Sequence, residues 1–241
     1  MSHFYNTMVG SFNNFVSKSR VRPPLKAGKS DSTVYLSQNI YKMKKALVLL
    51  FFTVSAVAQE KLWTESDRQY TLDNLKRTRD ELVKETENLT LDQWNFKESA
   101  DRWSIAEIVE HLGNWELLWA REIGISSQNT PKPEMLLTSK PDSYYHDFIM
   151  EEKAHISPTI SRPTGFIEGK NNLTRFVNLR NENITFTEKT KADMKAIFEL
   201  TGTDRARNLH QVYIYQWGHV DRHLRQIRKV KTHINYPKES H

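Results

Sequence analysis

Apolar residues in this chain recur every third or fourth position through four long stretches, and nowhere alternate with period two over a useful length. Such spacing gives each stretch one apolar stripe to bury and supplies no half-buried strands for a sheet, so it predicts an all-α fold. The first stretch, about Thr64 to Glu87, carries Leu72, Leu75, Leu82 and Val83, and Thr90 to Gln93 has the pattern of a short capping box. The second has the strongest start signal: Ser104 as N-cap, Glu107 three residues on, and Trp103 placed to staple against Ile108. Its apolar face runs from Ile105 through Leu112 and Trp115 to Trp119, with Gly124 as a stop. A third helix is expected from Asn171 or Asn172, using Leu173, Phe176, Val177 and Ile184, and a weaker segment around Ala192 to Leu200. The last runs from about Asp204 to Lys231. Prolines 131, 133, 141, 158 and 163 break any long helix in residues 125–170, which predicts a long irregular connection covering one end of the fold. The expectation is an antiparallel four-helix bundle with that connection between helices 2 and 3.

His219 and His223 lie one turn apart on the last helix, in Gln-Trp-Gly-His-Val-Asp-Arg-His. At about 100° per residue, positions i and i+4 share a helix face, so both imidazoles can converge on one ion. His111, at the edge of the second helix's apolar stripe, adds a third donor if the two helices pack side by side. Three neutral imidazoles leave a coordination position open and bring no charge, which suits activation of a water or polarisation of a carbonyl. Imidazole suits zinc, nickel, copper and iron about equally, so ligand type does not set the metal; zinc or nickel is the expectation. Gln226, seven positions after His219, shares its face and can hydrogen-bond a ligand; packing at the bundle end explains it equally well. His210 falls on the opposite side of the helix, Glu110 and Asp221 are expected to point away from the triad, and His146 and His155 read as exposed loop residues. No general base stands out.

Charge is unevenly placed. Residues 1–58 hold eight Lys/Arg against Asp31 alone; of 35 basic and 29 acidic residues in the chain, 27 and 28 remain for residues 59–241. The net charge of +6 therefore belongs to the leader, which removes the compositional case for nucleic-acid binding. Met43-Lys-Lys is a positive start, Ala46 to Ala58 an apolar run too short for the about 20 residues a span needs, and Ala56-Val-Ala58 a small-x-small cleavage site. Residues 43–58 thus predict a secretory signal peptide cleaved before Gln59, a periplasmic or secreted domain over 59–241, and no stable membrane anchor afterwards. The polar residues 1–42 read as a disordered or non-native upstream extension. There is no cysteine, hence neither disulfide nor thiolate ligand.

Trp103-Ser-Ile-Ala-Glu-Ile-Val-Glu-His111-Leu and His219-Val-Asp-Arg-His223-Leu-Arg-Gln226-Ile together resemble the paired signatures of DinB/YfiT-like proteins. The similarity spans roughly residues 64–231. It implies a four-helix bundle with an unusual crossover and a divalent metal on His111, His219 and His223. Family members include metal-dependent S-transferases that use small thiols, thiol-dependent isomerases, and many proteins of unassigned activity. An exported chain meets little cytosolic thiol, which weakens the transferase reading. There is no Walker loop, Gly-x-Gly-x-x-Gly, Gly-x-Ser-x-Gly or His-Glu-x-x-His.

The sequence reading is an exported metal-dependent hydrolase or group transferase acting on a small molecule, an ion-activated water being the nucleophile. The rivals are a non-catalytic metal- or ligand-binding bundle and a cytosolic thiol-dependent S-transferase. A homodimer is compatible with amphipathic helices, and nothing in the sequence demands one.

Overall fold

The computed structural model describes residues 60–153, 155–199 and 207–238. The expected signal peptide at 43–58 and the extension at 1–42 lie outside the described residues. Among the described residues four long helices form the frame: α1 (Glu65–Thr86), α3 (Ile105–Ser126), α5 (Gly169–Lys189) and α6 (Leu209–Lys231). A short α2 (Leu91–Asn95) lies between the first two, and α4 (Asp142–Met150) between α3 and α5. No described helix is long and apolar enough to cross a membrane.

Local chemistry sets most of the helix starts. Thr64, Thr90, Ser104 and Asn208 each accept a hydrogen bond from the third residue of the helix that follows. The side chains of those third residues, Asp67, Gln93, Glu107 and Gln211, in turn accept from the cap's own N–H. The last helix therefore begins at Leu209. No helix forms over Ala192–Glu199, where the Asp193 carboxylate takes the N–H groups of Lys195, Ala196, Leu62 and Trp63. Phe198 then bridges back to Asn208, so this segment spends its hydrogen bonds on a return.

Each long helix packs against two others, α1 and α3 both lying beside α5 and α6. Arg77 reaches Asp221 and Arg228 reaches Glu85, so α1 and α6 run parallel. Asn114 meets Arg175 while Glu116 meets Arg180, which makes α3 and α5 parallel too. The antiparallel contacts are α1 with α5 and α3 with α6. The direction along the chain is up, down, down, up. Two consecutive parallel helices need a crossover along the bundle, and residues 127–168 provide it. Expected to be irregular, this connection contains α4 and two 3₁₀ turns, Pro133–Leu137 and Thr159–Ser161. Helix α4 packs on α6, where Gly218 admits it closely: a Cβ there would stand 2.7 Å from Ile149.

The apolar interior is two clusters. One gathers Leu72, Leu75, Trp119, Ile123 and Tyr213; the other Leu82, Ile108, Leu112, Phe176, Leu224 and Ile227. Between them lies a polar layer. Arg180, with no exposed surface, donates from Nε and Nη2 to Glu116 at 2.8 Å each and from Nη1 to Thr78 at 2.8 Å. Asn183 and Gln216 also donate to Glu116, at 2.9 Å. The layer is hydrogen-bonded from all four helices, which fixes their register.

Gly169, opening α5, sits so near Trp94 that a Cβ would come within 2.3 Å of its ring. Trp94 is buried, so Gly169→Ala is expected to cost about 1–3 kcal/mol in thermal or urea unfolding. The α1–α6 seam also carries Glu81 and Glu85. Burial raises these carboxyls, but hydrogen bonds from Arg228 and Arg77, and from Lys231 and Arg228, more than reverse it. Because folding lowers their pKa, their contribution is present above the ordinary value of 4.5 and is lost as pH falls through the folded value. The pairs are half-exposed and worth about 0.2–1 kcal/mol each. The melting temperature should therefore drop below that pH, and the seam's share of the drop should shrink in high salt.

Candidate metal centre

His111 projects from α3, and His219 and His223 from α6, into the groove between those antiparallel helices. Their Nε2 atoms meet: His219 Nε2 lies 3.2 Å from that of His111 and 3.1 Å from that of His223. All three rings are buried, at 3%, 7% and 7% exposure. Each offers one ligand atom within 4.8 Å of the others, so the triad can bind a metal ion.

The hydrogen bonds behind the rings define their tautomers. His111 Nδ1 stands 2.8 Å from the Ser161 carbonyl, and His223 Nδ1 2.9 Å from Gln226 Oε1. Both oxygens accept only, so both Nδ1 atoms carry the proton and both Nε2 atoms present lone pairs. His219 has one proton for two Nε2 contacts, and its buried Nδ1 has no partner. At least one N···N contact is therefore lone pair against lone pair. Protonation would relieve it, but burial opposes that, lowering His111 to about 4 and His223 to about 3, and pushing His219 well below its ordinary value. A buried cluster of neutral imidazoles aimed at one point is a poor core and a good cation site.

The crossover builds one side of the centre. Residues 157–165 lie against α3, with Ser161 fully buried. Glu110, beside His111, accepts from the Thr164 N–H at 2.8 Å, the Thr164 hydroxyl at 2.6 Å and the Gly165 N–H at 2.9 Å. Burial raises this carboxyl and the three hydrogen bonds outweigh it, leaving its pKa lowered. Gly165 takes φ 74°, a left-handed turn suited to glycine. Glu110 does point away from the triad, as expected, yet it is buried and occupied. Ser161 and Thr164 had no signal in the sequence beyond the turn residues around them, because a loop carbonyl has no residue type.

The triad opens into a cleft of about 860 Å³. Trp103 packs at a tilt on His111, 4.9 Å between ring centres, and Trp115 and Trp119 stack on each other at 4.7 Å, each meeting the His219 ring edge to face. Farther out are Phe148 and Tyr215, with the Arg207 guanidinium 4.6 Å over the Tyr215 ring. Arg222, the residue before His223, donates to the carbonyls of Ile149, Glu151 and Lys153, so the end of α4 is tied to the ligand-bearing turn. His155 is exposed, as expected, but stands on the cleft wall with Nε2 on Glu151. His146 is half-buried against Trp217, and His210 is buried elsewhere, accepting from Trp63 Nε1 at 3.3 Å. Neither joins the triad. Asp221 pairs with Arg77 on the outside of α6.

No curated protein matches the chain. Among solved structures it is similar to "YfiT from Bacillus subtilis", described there as "a probable metal-dependent hydrolase with an unusual four-helix bundle topology". Identity is 14% and the TM-score 0.49, over 72% of this chain and 91% of that one. The sequence profile of the DinB superfamily matches residues 74–227, from the first half of α1 to the last turns of α6 and through all three histidines. The chain belongs to the DinB superfamily.

Proposed function

We propose that this is an exported DinB-superfamily protein that holds one divalent ion, zinc or nickel, on His111, His219 and His223. Its activity is hydrolysis or group transfer on a small molecule in the adjoining cleft. The observation that carries the reading is the meeting of three Nε2 atoms with two Nδ1 protons tied back to oxygen. A divalent ion there would supply Lewis acidity, polarising a carbonyl or phosphoryl oxygen and lowering the pKa of water. The chain supplies the rest. Ser161 and Gln226 hold the ligand rings in the required tautomer, Trp115 and Trp119 keep the inner cleft apolar, and Phe148 and Tyr215 line its outer part, with Arg207 held there by Glu199. Export is supported by the Lys44-Lys45, apolar, Ala-Val-Ala pattern of residues 43–58.

The test is elemental analysis of protein expressed from Met43 and recovered from the periplasm, beside His111→Ala and His223→Ala. About one equivalent of metal in the wild type, lost in both variants, is the expected result and would justify screening hydrolase and transferase substrates. A wild type that stays metal-free after reconstitution would leave a ligand-binding bundle. Recovery only from the cytosol, uncleaved, would return the thiol-transferase reading.

A further inference from the structure

Glu110 and His111 are neighbours on α3, and both engage the same stretch of the crossover. Glu110 takes three hydrogen bonds from Thr164 and Gly165, while His111 donates to the carbonyl of Ser161, three residues earlier. That carbonyl is held in place by the 3₁₀ turn Thr159–Ser161 and by the Ser161 hydroxyl, which donates to Pro158 O at 3.1 Å and meets Ser157 Oγ at 2.9 Å. Among the contacts of the described residues, Glu110 is the charged group of α3 that grips this stretch. The turn fixes the carbonyl within the crossover, and Glu110 docks that stretch on α3; without the anchor the turn can shift as a unit and carry the Ser161 carbonyl away from His111. The ring could then carry its proton on Nε2, where it would occupy the lone pair that faces the other two histidines.

We propose that Glu110 is a positioning residue of the metal centre, fixing the His111 tautomer through the Thr164–Gly165 turn and the Ser161 carbonyl. The inference rests on the reading of the triad as a metal site. It explains why a carboxylate at 3% exposure is spent on three donors of a loop rather than on a cation. Hydrogen-bond partners behind a ligating histidine are worth about 10–100-fold in metal affinity, and Glu110 governs such a partner whose own atom, a backbone carbonyl, no substitution can remove.

The experiment compares wild type, Glu110→Gln and Thr164→Val. Glu110→Gln turns an NH₂ group toward donors, and Thr164→Val deletes the hydroxyl donor alone. Two readouts are taken: Zn²⁺ affinity by competition with a chelator, and the long-range ¹H–¹⁵N spectrum of the histidine rings in metal-free protein. Expected for Glu110→Gln is affinity weaker by about 10-fold or more, with a new population of His111 carrying its proton on Nε2; Thr164→Val should move both in the same direction by less. Unchanged tautomer and affinity, with only a lower melting temperature, would overturn the proposal and leave Glu110 a structural staple. If Glu110→Gln does not fold, Thr164→Val decides by the same two readouts. Should the wild type take no Zn²⁺, the metal reading fails by itself, and the ring spectra still decide whether Glu110 sets the tautomer.

Discussion

His219→Leu should abolish stoichiometric metal binding and, in EDTA at pH 7.5, melt at a higher temperature than metal-free wild type. His219 is the ring shared by both short N···N contacts, and its Nδ1 is buried without a partner. An unsatisfied buried polar group costs about 1–3 kcal/mol. Leucine fills comparable space among Trp115, Trp119 and the two remaining histidines, removes the partnerless Nδ1 and ends the lone-pair contact. The Nε2 atoms left on His111 and His223 line the cleft, where water can reach them. The gain should be about 2–4 °C per kcal/mol in a domain of this size. With metal the order reverses, because the wild type gains the ion's binding free energy and the variant does not. Differential scanning with and without Zn²⁺ checks both arms. A metal-free variant that melts below wild type would mean that the triad is a satisfied part of the core.

Arg180→Met should be the most destabilising single change in the bundle. Arg180 and Glu116 are 0% and 1% exposed, and the guanidinium satisfies Glu116 through two hydrogen bonds while also binding Thr78. Removing one partner strands a buried charge, which costs about 3–5 kcal/mol. That is a large part of the 5–15 kcal/mol that holds a typical domain together. The double variant Arg180→Met/Glu116→Gln should recover about 1–2 kcal/mol, since the amide still accepts from Asn183 and Gln216 and no unpaired charge remains. Urea titration of both variants gives the comparison. Equal stability of the single variant and the wild type would show that the charge is not confined.

What the sequence disclosed and what it hid have physical reasons. Ser104 with Glu107 announced α3 because a capping box is written in consecutive residues. His111, His219 and His223 were legible because two share a helix face and the third sits on a stripe bound to face inward. Helix α4 was hidden by the prolines that flank it. Pro141 was read as a breaker, yet it stands at the N-cap, where its fixed φ and missing N–H do no harm, and Pro133 opens a 3₁₀ turn likewise. The 192–199 segment has helical spacing, but Asp193 draws its backbone donors into a turn. Arg180 and Glu116 gave no sign of being a buried pair, because periodicity marks which face a residue lies on and says nothing of its partner. The Ser161 carbonyl lay beyond any residue-based reading.

The two helices that share the centre sit far apart along the chain, His111 and His219 being 108 positions apart. A polypeptide threaded through a secretion channel is an extended string, and on it these donors are separate from one another. No ion can travel with it. Under the export proposed above, metal would be acquired only after α6 has docked on the far side. Which metal enters would then be set by the supply at that destination rather than by the cytosol.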